Sequence, residues 1–255
     1  MEHNEEAKIF KTSLYAGEIL VKSGSETYRA EETIKRMLHS KGFTNISTFV
    51  SPSVIIIGDN DADGNCYMRN IDKRGSNLAR IEYVNEISRG YVQNKITTDE
   101  AMEKLKIAAN TSPYHYWSMC VGCGLGCAAF SILIGGNYTD FIATLITSIL
   151  ALHLNEIINA KTNTIFLGNF IASFIVAIIA FGFKKIGLGS SLESTIVGSV
   201  LPLVPGVAFT SGVRDFMSGD LLSGATRCIE AVMIGIAIAF GVGASLTLAN
   251  TVGVM

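Results

Sequence analysis

Charged residues are scarce in this 255-residue sequence: they make up 16% of it, whereas 49% of the residues are hydrophobic. An ordinary soluble domain carries about 25% charged residues. The net charge of −2 supplies no basic surface, which argues against a nucleic-acid partner because binding to phosphates requires one. Five cysteines are too few for a disulfide scaffold. The composition therefore favours a protein that lies in a lipid bilayer.

Motifs of enzymes are also missing. The sequence contains no glycine-rich phosphate loop, no nucleophile elbow and no spacing of zinc ligands. We therefore expect neither an enzyme nor an ATP-driven pump, and neither a cofactor nor a metal. The first 30 residues lack the apolar segment of a secretory signal, so the N-terminus is expected to lie in the cytoplasm.

Charge is distributed unevenly along the chain. Residues 1–113 contain 16 acidic and 15 basic residues, whereas residues 114–255 contain 6 and 5. This change predicts a cytoplasmic α/β domain over 1–113, followed by an all-α membrane domain over 114–255. A helix needs about 20 apolar residues to cross the ~30 Å hydrocarbon core. The charge-free runs predict five transmembrane helices, at about 116–135, 138–158, 164–183, 192–212 and 228–249.

Hydrophobic periodicity and turn residues predict the elements of the first domain. A helix over 5–22 is expected to end at Ser23-Gly24, and Ser25 is the expected N-cap of a second helix that runs to about Leu38. The remaining predicted elements are strands over 45–50, 53–58 and 65–71 and helices over 77–91 and 97–109.

An aspartate-rich segment between the predicted strands resembles the opening of a calcium loop. It contains Asp59, Asp61 and Asp63, but the twelfth position of such a loop would be Asn70 rather than glutamate. The flanking segments also predict strands rather than helices. A polar hairpin turn at Asp63-Gly64 is therefore favoured.

Two groups in the predicted membrane helices could also carry chemistry. Cys120, Cys123 and Cys127 share one helix face and could bind a soft metal, but packing as small apolar residues is favoured because no fourth ligand lies nearby. His153 and Glu156 also share a face and could take part in a proton-coupled step, although a plain interfacial pair is the favoured alternative.

Two prolines interrupt the fourth predicted span. Pro202 and Pro205 each remove an amide donor and obstruct the preceding turn, and Gly206 weakens the helix further. Backbone groups freed at membrane depth are tolerated only where protein or water satisfies them. We therefore expect this span to be broken and to line a cavity, where the ends of the half-helices can bind carboxylates and cations.

Polar and charged side chains follow this break. Arg214 could hold a substrate carboxylate in a forked contact, and Asp215 could neutralise Arg214 or accept a proton. The alternative is a water-exposed helix end near the interface, since ionisable groups inside a membrane are rare. The candidate substrate-binding residues are Pro202, Pro205, Gly206, Thr210, Ser211 and Arg214, and the candidate coupling or gating residues are Asp215, Asp220, Arg227, Glu230, Glu156 and His153.

Several short motifs together resemble the threonine/serine exporter family, and they cover nearly the whole chain. In the membrane half they are P-L-V-P-G at 202–206, R-D at 214–215, G-D at 219–220, and S-G-x-x-R with E-A at 223–231. In the first half they are G-S-E-T at 24–27, followed by Glu31, and V-N-E-I-S-R and I-T-T-D-E-A within Leu78–Glu103. The order of the motifs is more specific than any one of them.

The resemblance implies a secondary transporter that exports a small carboxylate or an amino acid, such as threonine, serine or succinate. Full-length members carry a second membrane half, so this chain is similar to the split form, like the subunit of bacterial succinate export that works with a separate small membrane subunit. A hetero-oligomer in the bacterial inner membrane is therefore implied. Two alternatives stay open: a membrane-anchored cytoplasmic sensor or enzyme domain, and a structural assembly subunit.

Overall fold

The computed structural model describes residues 2–60, 64–72, 74–111, 114–162 and 164–251. The chain forms two compact units. The first comprises Met1–Pro113 and Val207–Ile229, and the second comprises Tyr114–Gly206 and Glu230–Met255. The predicted boundary near Pro113 lies outside the described residues, and the division into domains 1–113 and 114–255 remains a prediction.

The first unit contains four helices and a three-stranded sheet in the order that the sequence predicts, among its described residues up to 111. The sheet is antiparallel, in the order β1-β2-β3, and Val50 pairs with Ile55 while Gly58 pairs with Cys66. Apolar side chains from the four helices and from β1 and β2 form its core. The elements are α1 (Glu2–Lys22), α2 (Thr27–His39), β1 (Ile46–Val50), β2 (Val54–Asp59), β3 (Cys66–Asn70), α3 (Leu78–Val92) and α4 (Thr98–Asn110).

The turn between α1 and α2 explains one wrong prediction. Gly24 ends α1 with a positive φ of 88°, as expected, and the Ser25 amide donates to the Leu20 carbonyl at 3.0 Å. This bond belongs to a Schellman motif, so Ser25 completes α1. The N-cap of α2 is therefore Glu26 rather than Ser25, and the Glu26 side chain makes no capping bond.

The pairing of β2 with β3 bears on the aspartate-rich segment. Both of its flanks are strands, as predicted, and they pair antiparallel in continuous register. The helices that flank a calcium loop of the helix–loop–helix type are therefore not formed at β2 and β3. Asp61 and Asp63 themselves lie outside the described residues, and the turn at Asp63-Gly64 remains a prediction.

The helices of the membrane half are long and apolar. Four of those in the described part of the chain are long and apolar enough to cross a membrane, or five if one bent pair forms a single span. The larger count equals the five predicted spans. The helices are α5 (Tyr116–Leu133), α6 (Tyr138–Thr162), α7 (Ile165–Lys185), α8 (Leu192–Val200), α9 (Gly206–Met217) and α10 (Leu221–Thr251).

The bent pair occupies the segment of the fourth predicted span. A short 3-10 helix, Leu201–Leu203, follows α8 and contains Pro202, and Pro205 directly precedes α9. The helical segments Leu192–Leu203 and Gly206–Met217 meet at an angle of 60°. The fifth predicted span, 228–249, lies within α10, which starts at Leu221 because Asp220 caps it there.

Candidate functional site

In the first unit, the turn between α1 and α2 contacts the segment that joins α9 to α10. Hydrogen bonds and ion pairs link the two segments, although about 190 residues separate them in the sequence. We call this group the turn cluster. It comprises Ser25, Glu26, Thr27, Arg214, Asp215, Asp220 and Arg227.

The α9–α10 turn is built by two adjacent residues. Gly219 has a positive φ of 89°, and its amide donates to the Phe216 carbonyl at 3.1 Å, while the Asp220 amide donates to the Asp215 carbonyl at 3.0 Å. These bonds form a Schellman motif that ends α9. The Asp220 carboxylate then accepts a hydrogen bond from the Ser223 amide at 3.0 Å and caps α10.

Two glycines allow α9 and the start of α10 to pack closely. A Cβ atom on Gly224 would lie 2.7 Å from the Phe216 ring and 2.9 Å from the Gly212 carbonyl oxygen. A Cβ atom on Gly212 would lie 2.8 Å from the Cys228 sulfur. Because neither glycine has a side chain, the two helices approach until Asp215 and Arg227 meet.

Asp215 and Arg227 form a buried ion pair at the centre of the turn cluster. Arg227 Nε lies 3.2 Å from Asp215 Oδ2, and the two side chains are 6% and 0% exposed. Arg227 also donates to the Ser25 carbonyl at 2.7 Å. Thr27 donates its amide to Asp215 at 3.2 Å and its hydroxyl to Asp220 at 2.9 Å. Both charges are thus paired and bonded, as buried charges must be.

Arg214 and Glu26 form a second pair with a different exposure. Arg214 Nη1 donates to Glu26 Oε1 at 2.8 Å, and the arginine side chain is 66% exposed whereas the glutamate is 8% exposed. Arg29 lies 3.5 Å from the other oxygen of Glu26. Burial opposes ionisation of Glu26, but the hydrogen bond from Arg214 and the charge of Arg29 outweigh it and hold the pKa of Glu26 below its ordinary value of 4.5.

The pairing differs from the one that sequence reasoning offered. Neutralisation of Arg214 was one of two roles predicted for Asp215, yet Asp215 contacts Arg227, and Arg214 contacts Glu26. Adjacent residues on a helix point about 100° apart, so the two side chains leave α9 in different directions. Arg214 therefore holds a carboxylate, but one that comes from the chain itself.

The other predicted substrate-binding residues fall in both units. Thr210 is exposed and donates to the Val207 carbonyl at 3.1 Å, and Ser211 is buried on α9; both belong to the first unit. The remaining three, Pro202, Pro205 and Gly206, belong to the second unit, at the bend.

The predicted coupling residues His153 and Glu156 on α6 and Glu230 on α10 belong to the second unit. His153 Nδ1 lies 3.0 Å from the Tyr116 hydroxyl, and the imidazole ring stacks on Trp117 at 5.9 Å. Its neighbours on α5 are thus the aromatic residues at the start of that helix. Glu156 is exposed and Glu230 is half-buried.

Comparison with known sequences identifies the chain's relatives. Residues 11–249 match the sequence model of the family described as "Putative threonine/serine exporter". The chain belongs to the threonine/serine exporter family. It is a multi-pass membrane exporter, with four or five candidate spans in the part of the chain that the structure describes. No solved structure matches it.

Individual relatives in this exporter family differ in length. The chain is 22% identical over 250 residues to "Probable succinate transporter subunit YjjP" of Klebsiella aerogenes, covering 97% of this chain and 96% of the relative. The protein of the same name from Escherichia coli is also 22% identical, with 97% of each chain covered. The "Threonine/serine exporter" of Corynebacterium glutamicum is 21% identical over 270 residues, which are 100% of this chain but only 54% of that protein.

Four of the motifs that resemble the exporter family meet in the turn cluster. G-S-E-T supplies Glu26 and Thr27, R-D supplies Arg214 and Asp215, G-D builds the turn after α9, and S-G-x-x-R supplies the close-packed glycine and Arg227. Motifs from the two ends of the chain thus form one site. Glu26 and Thr27 lie in a recognised motif, but nothing in a single sequence indicates which distant residues they contact.

A second buried carboxylate, in the exporter's second unit, was missed by sequence reasoning. Asp140 is fully buried and accepts from the Asn137 amide at 2.8 Å, the Ser191 amide at 2.9 Å and the Ser190 hydroxyl at 3.2 Å. The Asp140 amide in turn donates to the Asn137 side chain at 3.2 Å. This is a capping box, and its spacing was visible in the sequence. Asp140 therefore ties the α5–α6 loop to the α7–α8 loop.

The cysteines of the exporter are free thiols. Cys120 and Cys127 are buried on α5 and Cys123 is partly buried, which fits the predicted packing role. Among the described residues, no group of three or more histidine, cysteine, aspartate or glutamate side chains could hold a metal ion.

Proposed function

We propose that this chain is a subunit of a secondary transporter that exports small carboxylates across the bacterial inner membrane, the candidates being threonine, serine and dicarboxylates such as succinate. The exporter family supports the direction of transport. Two relatives that match over nearly their whole length are named as subunits of a succinate transporter, and another is named as a threonine/serine exporter. These names support a small carboxylate as the shared chemistry.

The exposed guanidinium of Arg214 is the observation that carries the proposal. It is 66% exposed and already binds one carboxylate, that of Glu26, at 2.8 Å. A guanidinium has five N–H donors in a planar fork that suits carboxylates. A substrate that carries a carboxylate thus has a binding group here, and Arg214 is the proposed first contact.

The partners of Arg214 support a position at the cytoplasmic membrane surface. Residues 1–113 carry 31 of the 42 charged residues, and we propose that they form the cytoplasmic domain. The turn of that segment contacts the last turn of α9 and the start of α10. This arrangement supports a substrate entrance on the cytoplasmic side.

A second membrane subunit is part of the proposal. Relatives that match over their full length carry the word "subunit" in their names, and the chain spans about half of two threonine/serine exporters, 47% and 54% of their lengths. We therefore propose a hetero-oligomer in which a separate small membrane subunit supplies what the other half of the longer exporters contains.

Efflux from loaded cells tests the proposal. Cells are loaded with labelled threonine, serine or succinate, and efflux is measured with and without this chain and with and without the small membrane subunit. We expect efflux of at least one substrate that requires both proteins. In Arg214→Ala, efflux should be lost at an unchanged membrane level, whereas Arg36→Ala, which removes an exposed arginine paired with Glu32 on α2, should behave like the parent. Normal efflux in Arg214→Ala would contradict the proposed role of Arg214.

A further inference from the structure

The carboxylate-binding position of Arg214 is occupied by a group of the chain itself. Glu26 Oε1 accepts from Arg214 Nη1 at 2.8 Å, with the geometry of a charge-assisted hydrogen bond. A transported carboxylate presents the same chemical group to the same guanidinium. Substrate and Glu26 therefore compete for one donor.

The backbone around Glu26 is anchored independently of this contact. Thr27 bonds to both Asp215 and Asp220, and the Ser25 carbonyl accepts from Arg227. The Glu26 side chain can thus leave Arg214 while the turn remains in place. An anchored group is present at a high effective concentration, so Glu26 returns whenever the substrate leaves.

Glu26 also has a second cation that can receive it. Arg29 Nη1 lies 3.5 Å from Glu26 Oε2, so release from Arg214 does not leave an isolated charge in a buried position, which would be costly. The other arginine of the turn cluster is different: Arg227 is 6% exposed and held by Asp215. The turn cluster thus contains two different ion pairs. Of these, only the pair of Arg214 and Glu26 has an exposed guanidinium together with a carboxylate that stays neutralised after it leaves that guanidinium.

We propose that the Glu26 carboxylate is a tethered competitor that occupies the carboxylate site of Arg214 and leaves it when the carboxylate of a substrate binds. This inference rests on the proposed substrate-binding function of Arg214. Glu26 then sets the substrate concentration at which the exporter opens its site, and it prevents the empty guanidinium from binding other anions.

The expected size of the effect follows from mass action. Ion pairs with an exposed partner are weak, and their typical strength corresponds to a ratio of closed to open pairs of about 1.5–5. Removal of a competitor of that strength lowers the half-saturating substrate concentration by about 2.5- to 6-fold. The maximal rate of efflux is expected to be unchanged or higher.

The test measures initial efflux rates of labelled threonine, serine and succinate against internal concentration, with the full chain and its membrane subunit. Glu26→Gln removes the charge without changing the size of the side chain. Glu32→Gln is the matched control, since it neutralises an exposed glutamate on the same helix that pairs with Arg36. We expect a lower half-saturating concentration in Glu26→Gln, no change in Glu32→Gln, and no efflux in Arg214→Ala with or without Glu26→Gln.

Different failures identify different errors. An unchanged or higher half-saturating concentration in Glu26→Gln, with efflux still abolished by Arg214→Ala, would overturn the competitor and leave the proposed function standing. Complete loss of efflux in correctly inserted Glu26→Gln would also overturn it, because Glu26 would then contact the substrate. Normal efflux in Arg214→Ala would refute the proposed function itself. If Glu26→Gln does not accumulate, Glu26→Asp withdraws the carboxylate by one methylene, and an unchanged half-saturating concentration there would overturn the proposal.

Discussion

Neutralisation of Asp215 is expected to destabilise the first unit strongly. Asp215→Asn keeps the shape of the side chain and leaves an oxygen for the Thr27 amide, but it removes the charge that faces Arg227 at 3.2 Å. Loss of one partner from a buried ion pair costs about 3–5 kcal/mol, because the remaining charge is left uncompensated. For a chain of this size the thermal midpoint should fall by roughly 6–20 °C.

The assay is thermal unfolding of the full chain in detergent micelles, followed by circular dichroism. The double variant Asp215→Asn, Arg227→Met should recover much of the loss, because it removes the stranded cation as well. Glu32→Gln is the control, and its half-exposed pair on α2 should shift the midpoint by less than about 4 °C. A shift in Asp215→Asn no larger than that of the control would refute the reasoning, as would a double variant no more stable than Asp215→Asn alone.

Three further outcomes can be checked with the same unfolding assay. Gly224→Ala should lower the free energy of unfolding by about 1–3 kcal/mol, because the new Cβ would lie 2.7 Å from the Phe216 ring. Gly235→Ala on the same helix places its Cβ in open space and should not lower that free energy. The lowered pKa of Glu26 means that its stabilising contribution is present above its ordinary pKa and is lost as the pH falls through the lowered one. The difference in thermal midpoint between the parent and Glu26→Gln should therefore be constant from pH 6 to 8, shrink as the pH falls below the ordinary pKa of 4.5, and vanish below the lowered pKa; a difference that grows in acid would contradict this. Asp140→Asn should lower the free energy of unfolding by about 1.5–3 kcal/mol, since it removes charge-assisted bonds to the Ser191 amide and its neighbours. An unchanged thermal midpoint would contradict the role of Asp140 in joining the two loops.

Local signals were sufficient to predict most of the elements. Hydrophobic periodicity located the helices and strands of the first unit, and Gly24 marked the end of α1 as expected. The one wrong cap also has a local cause. Ser25 was expected to cap α2, but its amide completes α1. This error comes from two neighbouring signals, the end of α1 and the start of α2, that compete for the same few residues.

The turn cluster could not be predicted in the same way. Arg214 and Asp215 were recognised as candidates, but their partners Glu26 and Arg227 depend on the direction in which each side chain leaves its helix and on the packing of α9 against α10. The decisive contacts join residues 188 positions apart. A single sequence contains no local signal for such contacts. Gly224, which lets α9 and α10 pack closely, is likewise only one of 25 glycines in the sequence.

The long sequence separation inside the turn cluster has a consequence for biosynthesis. Residues 25–27 leave the ribosome 188 to 202 residues before the side chains that bury them, which is about 10–40 s at ordinary rates of translation. In that interval α5 to α8 are synthesised, so the first unit is completed only after most of the membrane helices have been made. Until then Glu26 and Thr27 lack their partners on α9 and in the α9–α10 turn. A ribosome that stalls before Asp215 would leave an amino-terminal segment with its polar turn uncovered, a state that chaperones and proteases can recognise.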